Sequence, residues 1–393
     1  MKKIAMMICF VLFMSGCGTQ KELNELALIL SLGVDVHGGS GYQVTLQIAD
    51  PSEIISITGA TSGTTSIPIV NYTGIGPTFI EALEDAAKQV SRSTFYTHVA
   101  LIVIGQDLAE RGIFPLLDIL EREPEIRENI PIVIGKQASA FQVLNSLTMI
   151  NKLPAFSIKG KLKMNEESFG NTMTVSIKEF LIKKDSEEGY PIVSGVKTPD
   201  YTEKTSQKVN LEQAAPKSSL VSGLAVFDQE GKFLYWLEEE QKRSVLFLEN
   251  RIQQTFITLP CDDENSTTIK VTYAKVKKKA SMTGDHIKLS AKIKAEAEID
   301  GLGCENQKMI KKRTITDFEK ELEGLIEQEI LASIKEAQDR QTDIYGFGET
   351  IYRQNPEQWK KLKDQWEELF SGADVDVHAE AEIKRTGNIT NSN

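Results

Sequence analysis

The sequence predicts an α+β fold in a multidomain lipoprotein: a mixed α/β N-terminal region, then a C-terminal region with a long antiparallel sheet covered by helices on one face. Three patterns carry this expectation. Short apolar runs alternate with amphipathic helical stretches before residue 152. Strict two-residue alternation dominates after Ser222. A helical apolar stripe, Phe318, Leu322, Ile326, Ile330, Ile334 and Ala337, has the width to cover a sheet.

The chain opens Met1-Lys2-Lys3, continues with an apolar run over residues 4–14, and reaches Ser15-Gly16-Cys17. A charged start, a short apolar stretch and small residues at the end make a secretory signal. The run is too short to cross a bilayer, which takes about 20 apolar residues. Met14-Ser15-Gly16-Cys17 reads as a lipobox, with Met where Leu is usual. In such a site the thiol takes a diacylglycerol and a peptidase then frees the acylated amine. The expectation is cleavage before Cys17 and attachment to a membrane through lipid on Cys17; ordinary cleavage with an unmodified cysteine is the alternative. Two or three acyl chains anchor a protein stably, where one binds marginally.

Composition narrows the rest. The chain has 393 residues, 40% apolar and 26% charged, which suits a soluble globular mature part. No later apolar run approaches membrane length. The formal net charge is −11, and loss of Lys2 and Lys3 with the signal makes the mature chain more negative still. That argues against nucleic acid as a partner and against broad adsorption to anionic lipid. The basic run at residues 275–279 reads as a solvated strand end.

Residues 1–16 are the signal and 17–24 a lipidated tether. The N-terminal mixed α/β domain is expected over 25–152. It holds an apolar strand at 26–34, an alternating strand at 42–48, a Ser/Thr/Gly loop at 58–66 and a helix at 78–90. A strand at 98–104, a helix at 113–120, a strand at 130–134 and a helix at 139–150 follow. Signals weaken over 153–217, read as a small middle domain and a polar linker from 198; residues 173–180 fit helix or strand. The C-terminal α+β domain is expected over 218–387. It opens with a hairpin, 224–227 and 233–236, turned at Gly231, then a helix at 238–249. Strands follow at 252–259 and at Ile269, Val271 and Tyr273. The cleanest strand carries Ile287, Leu289, Ala291, Ile293, Ala295, Ala297 and Ile299 on one face. A capping box of Thr316 with Glu319 is expected to start the long helix. A second helix spans 356–370, and Val375, Val377, Ala379, Ala381 and Ile383 mark a last strand.

Four cysteines are present. Cys9 leaves with the signal and Cys17 is acylated. Cys261 follows one strand and Cys304 ends the next but one, so antiparallel pairing brings both to one end of the sheet. A disulfide between them and two free thiols are both open readings.

Catalytic sets are hard to find. There is no GxxxxGK[ST], HExxH or GxSxG pattern. His37, His98, His286 and His378 lie far apart without metal-ligand spacing. Glu238-Glu239-Glu240 reads as a solvated helix start. Gly346-Phe347-Gly348 does not open a βαβ unit, and reads as a tight connection between helices. Trp359 and Trp366 are expected to share one helix face in the core. No cofactor is implied.

Lys21-Glu22-Leu23-Asn24-Glu25-Leu26-Ala27 resembles the RELNELA opening of the Ger(x)C family, the lipoprotein C-subunits of spore nutrient germinant receptors. Gly223-Leu224-Ala225-Val226-Phe227 with Trp236-Leu237 resembles that family's hairpin. Asp343-Ile344-Tyr345-Gly346-Phe347-Gly348-Glu349, with Asn355-Pro356, Trp359 and Trp366, resembles its D-x-x-GFG…P-x-x-W segment. Ile383-Lys384-Arg385-Thr386-Gly387 resembles its terminus. Two positions depart: Cys17-Gly18-Thr19 replaces Cys-Trp-Asp or Cys-Trp-Asn, and Lys21 replaces Arg. The resemblance implies a three-domain α+β lipoprotein without enzymatic activity, acting beside integral membrane subunits of the same receptor in the spore inner membrane. It brings no ligand-contact residues, so Gly346, Phe347, Gly348 and Trp359 are motif positions only, and direct contact with a nutrient stays open. Two other classes fit the residues less well. A solute-binding lipoprotein of a transporter needs two α/β lobes around a cleft, which the long C-terminal sheet does not suit. A lipoprotein hydrolase lacks its nucleophile.

Overall fold

The computed structural model describes residues 25–49, 69–147, 153–186, 189–199, 218–260, 266–283, 286–302 and 312–385. Cys17, Cys261, Cys304, the loop at 58–66 and the linker from 200 lie outside these residues.

A ten-stranded mixed sheet forms the first half, in the order β10-β9-β8-β6-β5-β1-β2-β3. β1 (Leu26–His37), β5 (Leu101–Ile104), β6 (Pro131–Gly135) and β8 (Ile192–Lys197) run parallel at its centre. Parallel strands are buried on both faces, which is why β5 and β6 read as continuous apolar runs. Leu101 and Val103 face one core cluster, Ile102 and Ile104 the other. β2 (Gly41–Ala49) and β3 (Ile69–Gly76) extend one side as antiparallel strands. Short β4 (Ser93–Phe95) and β7 (Val175–Ser176) pair with β1 and β6. The helices are α1 (Phe79–Lys88), α2 (Gln106–Arg111), α3 (Phe114–Arg122), α4 (Ala140–Asn145), α5 (Pro154–Phe169) and α6 (Ile177–Asp185). Buried Asp35 on β1 accepts the Ala140 and Phe141 N–H groups at the start of α4, at 2.7 and 3.0 Å.

The hairpin β9 (Leu220–Phe227) and β10 (Phe233–Leu237) belongs to this first sheet, not to the second. β9 lies antiparallel to β8, with Ile192 opposite Val226 and Val193 opposite Ala225. Asp228 fixes the turn by accepting the N–H groups of Glu230 and Lys232.

After α7 (Glu239–Leu248) comes the second sheet, in the order β11-β12-β13-β14: Thr255–Pro260, Ser266–Thr283, His286–Leu302 and Asp374–Arg385. The expected alternation on β13 holds: its seven apolar side chains from Ile287 to Ile299 are all buried. So are all six residues of the stripe on α8 (Lys312–Asp339).

Four details depart from expectation. β14 is parallel to β13, while the other pairs are antiparallel. Alternation is blind to direction; the long α8 crossover returns the chain to the start of β13, and a parallel neighbour follows. The capping box does not form a cap, because α8 is already under way at Lys312. The expected helix at 356–370 is broken into α10 (Pro356–Leu362), a 3₁₀ turn and α11 (Trp366–Ser371). Finally, the register of β12 against β13 shifts between Val271 and Tyr273. This bulge inserts one residue and swaps the faces beyond it. Ile269 and Val271 point inward before it, Ala274 and Val276 after it, and Tyr273 turns out to solvent.

Glu319 finds a different task. Its carboxylate accepts the Ile383 N–H at 2.9 Å, Glu323 accepts that of Ala381 at 2.9 Å, and Glu327 that of Ala379 at 2.8 Å. Four helical residues rise about 6 Å and two strand residues about 6.6 Å, so the two repeats match over this length. The carboxylates occupy N–H groups on the edge strand that could otherwise pair with another chain. Replacing Glu323 with Ala should cost about 1 kcal/mol in urea unfolding. Replacing all three should also produce concentration-dependent self-association in size-exclusion chromatography.

Candidate functional site

The segment after α8 gathers the residues that stood out as a motif. Asp343 is 1% exposed. One carboxylate oxygen accepts the Phe347 N–H at 3.1 Å; the other accepts the Gly348 N–H at 2.7 Å and the Trp366 indole N–H at 3.0 Å. The first two donors open α9 (Phe347–Gln354), where free N–H groups and the helix dipole favour an anion. Burial pushes the Asp343 carboxyl above the usual carboxylate range, against the pull of these three hydrogen bonds and the nearby Lys278.

The glycines have separate reasons. Gly346 has φ +68°, the left-handed conformation that lets the chain turn into α9. Gly348 lies under the indoles: a Cβ there would sit 2.8 Å from Trp359 Cη2 and 2.9 Å from Trp366 Nε1. Trp359 on α10 and Trp366 on α11 pack edge to face in the core with centroids 5.4 Å apart, from two helices and not from one shared helix face. Phe347 is fully buried beside Phe370. Gln338 donates to the carbonyls of Phe370 and Ala373, tying the end of α8 to α11.

The same segment reaches the first half of the molecule. Lys183 on α6 pairs with Glu349 on α9 at 3.2 Å. Lys278 turns inward from β12, lies 3.5 Å from Glu249 and donates to the Tyr345 carbonyl. Arg251 bridges Glu166 and Glu179, each at 3.3 Å. Arg243 on α7 grips both carboxylate oxygens of Glu329 on α8. Between these contacts lies a cavity of about 270 Å³, lined by Phe180, Ile182, Ile192 and Ile344 with Lys183, Glu249, Arg251 and Glu349.

Burial would raise the Glu349 carboxyl, but the charge and hydrogen bond of Lys183, with Arg353 and Lys278, hold it below the usual range. Glu179 is likewise lowered: burial is outweighed by hydrogen bonds from Ser176 and by Arg251. Burial would lower Lys183, and Glu249 and Glu349 carry it above its ordinary value. Opposite charges thus stabilise each other's ionised forms and form a clamp between the two halves. Sequence reasoning missed the clamp. Lys183 and Glu349 lie far apart in the chain; Lys183 sits in no recognisable pattern, and Glu349 ends the quoted motif segment with nothing local to point to its partner. The four histidines stay apart, with His98 beside Phe95 and His378 beside Glu327. Among the described residues, no group of three or more His, Cys, Asp or Glu side chains is placed to hold a metal.

Two family models match the chain: a spore germination protein N-terminal domain over residues 19–198, and "Spore germination B3/ GerAC like, C-terminal" over residues 222–387. Spore germination protein KC of Bacillus subtilis (strain 168) is 31% identical over 387 residues, 97% of this chain and 95% of the relative. The chain belongs to the Ger(x)C spore germination family. Spore germination protein B3 of the same strain is 20% identical over 396 residues, covering 98% of each chain. The crystal structure of the GerBC protein has the same fold, with a TM-score of 0.58 at 16% identity, covering 90% of this chain and 96% of that one. In this family member the two matched regions part between β8 and β9, although those strands pair in one sheet.

Asp343→Asn leaves at least one of three buried donors without an acceptor and should cost about 1–3 kcal/mol in urea unfolding, and Gly348→Ala a similar amount through overpacking. The pH dependence has a defined sign. The lowered Glu349 and Glu179 contribute stability that is complete above their ordinary value of 4.5 and lost as pH falls through the lowered values. The raised Lys183 contributes stability present below its ordinary 10.5 and lost as pH rises through the raised value. Glu349→Gln should therefore lose less stability than the parent chain as the pH falls from neutral to below 4.5, the ordinary glutamate value.

Proposed function

We propose that this chain is the membrane-anchored, non-catalytic subunit of a spore nutrient germinant receptor. It acts through protein–protein contact with the integral membrane subunits of that receptor, at the outer face of the spore inner membrane. Family membership along the whole chain carries the reading, because the relatives are named as spore germination proteins. The lipobox at Cys17 supplies the anchor. Among the described residues no helix is long and apolar enough to cross a membrane, so a lipid on Cys17 gives a route to the surface. At the junction between the two sheets Lys183 pairs with Glu349 and Arg251 with Glu166 and Glu179, which supports a structural rather than a catalytic task for these charges.

Cys17→Ala should move the protein from the membrane to the soluble fraction of spores and impair nutrient-triggered germination, while its urea midpoint stays unchanged. A released yet fully germinating strain would refute the anchor's role. A disulfide between Cys261 and Cys304 is a further proposal. Leu259, Thr267 and Leu302 lie in one row across three strands, so the chain leaves β11 and β13 at the same end of the sheet. Mass spectrometry of the non-reduced, alkylated protein should find neither thiol labelled.

A further inference from the structure

The open face of the second sheet carries a charge pattern that the junction does not use. Lys275 lies directly opposite Lys294, and Lys277 opposite Lys292. β14 completes these rows with Glu380 and His378. Lys279, Ser290 and Asp376 form the next row, and the three rows line a groove of about 650 Å³. Five lysines there meet two carboxylates. Glu380 pairs with Lys292 and Lys294, and Asp376 with Lys288. Among the described residues no carboxylate pairs with Lys275, Lys277 or Lys279.

Like charges directly opposite each other destabilise a sheet. Two adjacent pairs of this kind stand out in a chain of net charge −11. The bulge at Thr272 produces them. It turns Ala274 and Val276 inward and leaves the three odd-numbered lysines in solvent.

We propose that this lysine face binds an anionic phospholipid surface and so sets how the tethered chain lies on the membrane. Opposite charge gives the attraction, at short range and with salt sensitivity. The groove's make-up favours lipid over an acidic protein. Protein interfaces are enriched in aromatic residues and arginine and depleted of lysine, and the groove holds lysines without an aromatic or arginine. The polarity runs along the strands. Glu296, Glu298 and Glu382 lie in rows beyond Lys294, away from the β12–β13 hairpin end. There Glu298 pairs with Lys270, and Glu296 and Glu382 pair with Lys384, so these carboxylates leave no excess of cations and the sheet should meet the membrane with its hairpin half.

The inference rests on the reading that the chain works at a membrane surface, but its test does not need the lipid. The chain from Cys17 onward, made without acylation, is sedimented with vesicles of phosphatidylglycerol and phosphatidylcholine in equal parts, or of phosphatidylcholine alone. It should bind the first and not the second, and added salt should weaken the binding. The triple variant Lys275→Gln, Lys277→Gln, Lys279→Gln should lose on the order of 100-fold in partitioning. A control with the same net charge, Lys163→Gln, Lys178→Gln, Lys360→Gln, should bind like the parent, and the lysine-face variant should unfold at a urea midpoint no lower than the parent's, since it removes two like-charge pairs. Absence of a preference for phosphatidylglycerol, or equal loss in both triple variants, overturns the proposal. So does a lysine-face variant that blocks germination when the parent ignores the vesicles; the face would then serve an acidic protein. Absence of lipid on Cys17 in the natural protein would remove the anchor reading and leave the vesicle result standing.

Discussion

The pairing of β9 with β8 holds the two halves of this molecule in one arrangement. It places the hairpin at the edge of the first sheet, with Leu224, Ala225, Val226 and Phe227 all buried there. The chain then leaves β10 through α7 and enters β11 from a fixed position. The ion pairs at the junction follow from that placement. Their share of the stability is modest: exposed pairs are worth about 0–1 kcal/mol, and desolvation offsets much of the gain of buried ones. Apolar burial and the backbone ladder hold the halves together. The charges make other alignments costly, since a shift would strand Lys183, Arg251 or Glu349 in partly buried surroundings without partners.

This explains why the boundary between the two matched family regions need not be a physical hinge. Sequence kinship divides the chain near residue 200, and the fold carries one sheet across that division. The Asp343 segment ties the other side. Its carboxylate organises α9 and receives Trp366, while Ile344 and Glu349 from the same turn face the first half. Two cavity-lining residues, Ile344 and Glu349, and the carboxylate that holds Trp366 thus belong to one short segment.

The parts legible in the sequence were those with strong periodicity. β13 and the α8 stripe alternate so regularly that burial followed directly. α5 was missed because its inward face is sparse, Pro154, Ala155, Ile158 and Leu162. Its punctuation was nonetheless present: proline at the first turn and left-handed Gly170 after the end. β8 was missed because Ser194 and Gly195 interrupt a short run that only its neighbours make a strand. The β12 bulge was hidden because Ile269, Val271 and Tyr273 continue a plausible alternation, while the competing set, Ala274 and Val276, is weaker. The Asp343 motif could be seen but not explained. Nothing local shows that a carboxylate will be buried against two backbone N–H groups and an indole more than twenty residues away.

The second sheet is open in a restricted way. Its inner face lies under α8, and the carboxylates of Glu319, Glu323 and Glu327 occupy N–H groups of the β14 edge. On the other side, beyond the end of β11, Asn250 accepts the Val276 N–H and donates to its carbonyl, standing in for a neighbouring strand. Strand addition at these places would have to displace charged or bidentate side-chain hydrogen bonds. A partner of this sheet is thereby steered to the outer face, where contact depends on side chains rather than on backbone pairing. There the bulge decides the chemistry. One inserted residue turns a lysine run that would have been half buried into a row of free ammonium groups, and it turns Lys278 inward to the junction. A single irregularity in β12 thus supplies both the cation that ties the two halves together and the cations that remain for an external surface.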